Sequence, residues 1–336
     1  MENKIWDVVI IGGGPSGYTA AIYTARAMLS TLVLAGTAAG GQLMNTTEVE
    51  NFPGFAKGIM GPDLMMEMME QAKRFGAVLE FENVTKVEIK KNQIVENSKN
   101  QNEEFDLKKI YVGEREIIAK TVIVSTGAGS KMLNVGEEKL IGRGVSMCAV
   151  CDAAFFRDKV TYVVGGGDAA VEDAMALSKF ASEVNLVVRR DELKASKIMQ
   201  ERALKNPKVK IVWNSEVIRV LGDDKLHSIE IKNSKTQEIK TLSADGLFLA
   251  IGHFPNTKLF EEKLELDEKG FLKTGVNGGL EVEWLEGYPT QTSASGVFGA
   301  GDVVDFKYKQ AITAAGMGCQ AALDVEKYLT GEMSSY

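Results

Sequence analysis

Val8-Val9-Ile10-Ile11-Gly12-Gly13-Gly14-Pro15-Ser16-Gly17 sets four apolar residues before a glycine turn, and the Ala-rich stretch Tyr18 to Leu29 comes next. This order predicts a buried strand, a tight turn and a helix. The lack of a side chain at Gly12 lets the strand turn sharply, at Gly14 it lets backbone amides approach a pyrophosphate, and at Gly17 it lets helix and strand pack closely. A second copy starts at Val160-Thr161-Tyr162-Val163-Val164, continues as Gly165-Gly166-Gly167-Asp168-Ala169-Ala170 and leads into a helix through about Ser178. One such loop also occurs as a mere connection; two, each after an apolar strand, point to nucleotide binding. The expected fold is α/β, with two Rossmann-like three-layer dinucleotide-binding domains.

Composition agrees with that expectation. The 336 residues are 45% hydrophobic and 25% charged, which excludes disordered, collagen-like and coiled-coil chains. At roughly 100 to 200 residues per domain the length suggests two domains. Lys plus Arg number 39 against 46 Asp plus Glu, a net charge of −7, the wrong sign for a nucleic-acid partner. No run approaches the roughly 18 apolar residues of a membrane span. Met1 to Asp7 lacks a basic start and a cleavage site, so the chain is expected to be cytoplasmic.

Strands at Thr121 to Val124 and Leu247 to Ile251 end in the turns Thr126-Gly127-Ala128 and Gly252-His253. They are read as crossings between a discontinuous outer domain, 1–127 and 253–336, and an inserted domain, 128–252. Gly296-Val297-Phe298-Gly299-Ala300-Gly301-Asp302 reads as a further strand, ahead of a helix from about Gln310 to Leu329. Met60 to Met69 reads as a packing helix, and residues 96 to 116 as exposed hairpin connections.

The two loops differ in the strands that come after them. Downstream of the first, Thr31 to Leu34 runs into Ala35-Gly36 without the acid that holds a ribose, which weakens an NAD reading there. Downstream of the second, Val184 to Val188 runs into Arg189-Arg190-Asp191-Glu192-Leu193-Lys194. Paired guanidiniums suit a ribose 2′-phosphate and make this an NADPH site; the alternative is a solvated basic turn.

Two of the three cysteines form Cys148-Ala149-Val150-Cys151, which in a reducing compartment means redox chemistry or metal binding. Zinc needs about four ligands, whereas Cys319 stands alone and His227 and His253 are the only histidines, so no metal is expected. Thiol exchange needs a lowered thiolate pKa and a proton donor for the leaving sulfur. Asp152 stands where it could donate that proton, or cap a helix. Cys319, in the Ala-rich final helix, reads as a small buried thiol.

With these motifs in hand, the chain resembles the low-molecular-weight thioredoxin reductases from Val8 to about Leu329. The resemblance is carried by the two glycine loops, Gly40-Gly41-Gln42-Leu43, Thr47-Glu48-Val49-Glu50-Asn51-Phe52-Pro53-Gly54, Cys148-Ala149-Val150-Cys151-Asp152, Ala250-Ile251-Gly252-His253, Gly299-Ala300-Gly301-Asp302 and Gln310-Ala311-Ile312-Thr313. It implies FAD on Gly12, Gly14, Pro15, Gly17, Gly36, Gly41, Gln42, Asn51, Thr126, Gly127, Gly301, Asp302, Lys309, Gln310 and Ala311. NADPH is expected on Gly165, Gly167, Asp168, Ala169, Arg189, Arg190 and Lys194. Cys151 is expected to take electrons from the flavin, Cys148 to attack the disulfide of thioredoxin, and Asp152 to move the proton. The resemblance further implies a homodimer and an NADPH domain that swings relative to the FAD domain.

Four departures from the family pattern are visible. Lys194 replaces a third Arg, keeping charge without the fork, so NADPH preference is expected to soften. Ala153 replaces a Gly, Lys309 replaces an Arg, and residues 276–289 are extra length with a surface hairpin as the default reading. Rival readings are a reductase of a peroxiredoxin system or glutaredoxin-like protein, a flavin redox sensor, and a dithiol oxidase, the last opposed by Arg189 and Arg190.

Overall fold

Both glycine turns join a buried parallel strand to a helix. The computed structural model describes residues 4–89, 106–275 and 287–331. Its helices are α1 (Pro15–Arg26), α2 (Gly61–Arg74), α3 (Ala149–Asp152), α4 (Asp168–Ser178), α5 (Lys197–Lys205) and α6 (Ala311–Thr330). The chain divides into two units: Met1–Glu48, Phe52–Gly129 and Phe254–Tyr336 form one, Val49–Asn51 and Ser130–His253 the other.

In the first unit, the strands Val78–Glu80, Thr31–Leu34, Ile5–Ile11 and Arg115–Val124 lie side by side in parallel. Val8, Val9 and Ile10 have no exposed surface, as expected of a strand covered on both faces. Besides Ile5–Ile11, the ten residues of Arg115–Val124 serve two further pairings. Their first half forms an antiparallel hairpin with Lys108–Val112, and their second half runs parallel to Val297–Gly299. Val9 and Ile11 face a core that includes Phe260, Leu264 and Leu272. By strand alternation Val8 and Ile10 face the opposite side.

Helix α1 starts at Pro15, whose fixed φ suits the first helical position, and ends before the expected Leu29 because Met28 takes a left-handed φ of 61°. The Met-rich segment is α2, with Met65 and Met68 buried and Met60 and Met66 exposed. The expectation of exposed connections over 96–116 needs correction where the chain is described. Lys108–Val112 is a strand with Lys108 and Ile110 buried, and the Lys108 amine donates to the carbonyls of Asp106 at 2.5 Å and Lys120 at 3.2 Å. Residues 96–105, and 276–286 of the extra length, lie outside the described residues.

The second unit has three layers. Its parallel sheet runs Val145–Ser146, Gly246–Leu249, Val160–Val164, Glu183–Val187, Val209–Val212. On one face Val163, Val184, Leu186 and Phe248 meet Ala170, Val171, Ala174 and Leu177 of α4 and Ala149 of α3. On the other, Tyr162, Val164, Leu247 and Leu249 meet Val217, Val220, Ile229 and Ile231 of a three-stranded antiparallel meander.

Candidate active site

In the first unit the sheet register gathers residues far apart in sequence. Ile11 lies beside Val124, and Val124 beside Gly299, so Gly12, Thr126-Gly127 and Gly301-Asp302 all leave the sheet at its carboxyl edge. Such an edge is the usual ligand crevice of a doubly wound fold. Gly12, at φ 120°, has no room for a side chain because Ser125 stands against it. A Cβ on Gly17 would strike the carbonyl of Gly12, whereas one on Gly14 would meet nothing within 4 Å. Gly40 donates to the Gly13 carbonyl at 2.9 Å, which brings Gly41 next to Gly14. Gln42 donates to the Ala128 carbonyl at 3.4 Å, and Thr126 exchanges hydrogen bonds with Asn256 at 2.8 and 2.9 Å. Asn51 falls in the short segment that groups with the second unit.

Two acids mark the end of the Val297–Gly299 strand. Burial, and then the neighbouring Asp305, push the carboxyl of Asp302 up to about 6, with Lys309 partly opposing. Burial pushes the Lys309 amine down. Sequence reasoning missed Asp305, whose carboxylate accepts the backbone N–H groups of Lys307, Tyr308 and Lys309 at 2.8 to 2.9 Å. That clasp delivers the chain to Gln310, which caps α6 reciprocally with Thr313 and leads into Ala311. The signal available was a second Asp three residues after Asp302. Asn83 was also missed: its Oδ1 accepts the Thr37 N–H at 3.0 Å and sits where a side chain on Gly36 would point.

The second unit repeats the arrangement. Gly165 donates to the Val187 carbonyl at 3.1 Å, so the second glycine turn lies beside the strand end that carries Arg189 and Arg190. Both arginines and Lys194 are exposed. A Cβ on Gly165 would lie 2.5 Å from the Ala250 carbonyl, and one on Gly167 would meet nothing within 4 Å. Gly14 and Gly167 precede α1 and α4, and neither helix start has a side-chain cap. With no side chain capping either start, and open space where a Cβ on Gly14 or Gly167 would stand, both helix N-termini suit the phosphates of a dinucleotide. The side chain of Asp168 is engaged: Oδ1 accepts the Ser196 N–H and the Ser196 hydroxyl, both at 2.8 Å.

The cysteine pair lies in this second unit, just after the strand Val145–Ser146. Cys148 and Cys151 form a disulfide with a Cα separation of 5.3 Å. Cys148 is itself the N-cap of α3, its sulfur accepting the Cys151 N–H at 3.2 Å. Asp152 ends α3 and makes no capping hydrogen bond, which removes the helix-cap reading for its side chain. Burial pushes the Asp152 carboxyl above the ordinary carboxylate range, and a hydrogen bond with Ser146 partly opposes this. Cys151 is exposed and Cys148 half-buried. The arrangement offers a two-electron couple beside an acid that holds its proton to higher pH than a free carboxyl. Among the described residues no cluster of three or more His, Cys, Asp or Glu could hold a metal ion, and no helix is long and apolar enough to cross a membrane.

Residues 6–318 match the family described as pyridine nucleotide-disulphide oxidoreductase. A thioredoxin reductase of Streptomyces clavuligerus is 50% identical over 330 residues, covering 97% of this chain and 95% of the relative. One of Mycolicibacterium smegmatis is 47% identical over 329 residues, with 98% of each chain covered. The solved thioredoxin reductase of Streptococcus pyogenes MGAS5005 superposes with a TM-score of 0.85 at 38% identity, over 98% of this chain and 100% of that one. The chain therefore belongs to the pyridine nucleotide-disulphide oxidoreductases, in their thioredoxin reductase branch, a family that implies a flavin and a nicotinamide cofactor.

Proposed function

We propose that the protein is an NADPH-dependent thioredoxin reductase that holds FAD in the outer domain, 1–127 and 253–336, and NADPH in the inserted domain, 128–252. The observation that carries this reading is the Cys148–Cys151 disulfide beside the half-buried Asp152, in the same unit as a glycine turn leading to Arg189 and Arg190. The names of the relatives support thioredoxin as the disulfide partner.

The open approach at Gly14 and the edge formed by Thr126, Gly127, Gly301 and Asp302 fit FAD, and the turn at Gly167 with its two arginines fits NADPH. A bound flavin supplies the means of passing an electron pair from a nicotinamide to a disulfide. Reduction of Cys148–Cys151 consumes two electrons and two protons and leaves two thiols. Cys148 passes its thiol proton to the Asp152 carboxylate and, as thiolate, bonds to one sulfur of the partner disulfide and expels the other, which takes that proton back from Asp152. Cys151 then attacks the Cys148 sulfur, its own thiol proton passing to the second partner sulfur as that sulfur is released, and the internal disulfide is restored, so each turnover closes in electrons and protons. A cytoplasmic setting, where glutathione and thioredoxin keep thiols reduced, suits such a couple. Two copies of the chain are expected to pair, as in the family.

Steady-state NADPH oxidation with oxidised thioredoxin, run beside NADH and a control lacking thioredoxin, tests the whole route. Turnover that requires thioredoxin and prefers NADPH is expected. Flavin bleaching by NADPH with thioredoxin left oxidised would move the partner to another disulfide protein.

A further inference from the structure

In the second unit, the segment bearing the arginines is tied back to the glycine turn. The Gly166 carbonyl accepts the N–H of Lys194 at 2.7 Å and that of Ala195 at 3.1 Å. The Asp168 carboxylate then takes both polar hydrogens of Ser196. At the other end of the segment, the Arg190 carbonyl accepts the Asn214 N–H at 3.1 Å. Ser196 occupies the N-cap of α5, where a serine hydroxyl ordinarily accepts from the helix's own N–H groups. Here α5 has no side-chain cap, and the hydroxyl donates to Asp168 instead. Those same bonds hold the Asp168 carboxyl below the ordinary range, as expected of an ionised clasp.

We propose that Asp168 is a positioning residue for cofactor selectivity, fixing the Arg189–Lys194 segment against the glycine turn through Ser196. The inference rests on the NADPH reading above. Arg189 and Arg190 are exposed and rich in rotamers, and ordering such side chains on a phosphate is costly. A backbone held at fixed distance from the pyrophosphate turn confines that cost to the side chains. A nicotinamide cofactor lacking the ribose phosphate makes no use of the arginines, so loosening the segment weakens one cofactor and spares the other.

The test is calorimetric titration of the full-length holoprotein with NADP+ and with NAD+, for the parent, Asp168→Ala, Asp168→Asn, Ser196→Ala and the pair Arg189→Ala with Arg190→Ala. Asp168→Ala is expected to raise the Kd for NADP+ about tenfold, the scale of two lost hydrogen bonds, and the Kd for NAD+ less than about twofold. Asp168→Asn keeps an acceptor oxygen and is expected to restore most of the NADP+ affinity, with Ser196→Ala falling between the two. Equal weakening of both cofactors, or an unchanged NADP+ Kd, would overturn the proposal. Should Asp168→Ala fail to fold, Ser196→Ala decides by the same ratio. If the double arginine variant keeps the parental NADP+ to NAD+ ratio, the NADPH reading itself fails. If that ratio collapses there and stays intact in Asp168→Ala and Ser196→Ala, the positioning role alone fails.

Discussion

The Ser146 hydroxyl accepts the backbone N–H of Cys148 at 3.1 Å and also hydrogen-bonds the Asp152 carboxyl. One side chain at the end of a buried strand thus touches both the backbone of the first cysteine and the acid beside the second. Asp152→Asn removes the proton donor and is expected to slow thioredoxin reduction about 10²- to 10³-fold. Ser146→Ala removes the bond that pulls the Asp152 carboxyl down, so the acid stays protonated to higher pH. The alkaline limb of the turnover profile is expected to move to higher pH in that variant. An unmoved limb would separate Asp152 from the proton transfer.

Cys151→Ser and Cys148→Ser each break the two-electron couple. Both variants are expected to lose thioredoxin turnover while NADPH still bleaches the visible flavin absorbance. Retained turnover in either would rule out the route through the internal disulfide.

The first glycine turn predicts opposite outcomes for two neighbouring alanines. A Cβ on Gly17 runs into the Gly12 carbonyl, while one on Gly14 enters open space. Gly14→Ala is expected to fold and purify with little flavin, because the methyl group occupies the approach to the helix N-terminus, and to melt close to the flavin-free parent. Gly17→Ala is expected to lower Tm by several degrees, on the scale of a backbone clash. The two are compared by melting and by flavin content after purification.

Asp173, on α4, carries a carboxyl pushed up to about 7 by burial and then by Glu172, with the Ala149 N–H partly opposing. Its native form binds a proton that the unfolded chain has lost above about pH 4. Between those values the native state therefore holds more protons than the unfolded one, and stability falls as pH rises. Asp173→Asn is expected to melt higher than the parent at pH 8, with the gap closing as pH approaches 4. A gap that does not vary with pH would assign the effect to packing.

Much of the fold was legible because its signals are local. Glycine turns after runs such as Val8 to Ile11 and Val160 to Val164 announce strand, turn and helix, and Cys-Ala-Val-Cys announces a couple. The residues that fix these pieces were not legible, since they act across long separations without any period. Ser125 closes against Gly12, Ser196 reaches Asp168, and Asn83 braces the turn after Thr31–Leu34. Lys108 misled for another reason. A lysine in a polar stretch reads as solvated, yet its amine is satisfied by two carbonyls, and burial pushes it down to about 8.

The short strands Ala128–Ser130 and His253–Pro255 pair with each other. Beside them Lys131 donates to the Gly252 carbonyl at 2.9 Å, and Asn256 donates to the Gly127 carbonyl at 3.0 Å. The outgoing and returning chains therefore share a single seam. A tight turn from Gly127 to Asn256 would close the outer sequence into an uninterrupted polypeptide. A Ser130–His253 piece would likewise have neighbouring ends, so excision, replacement and circular permutation at this one place are expected to be tolerated.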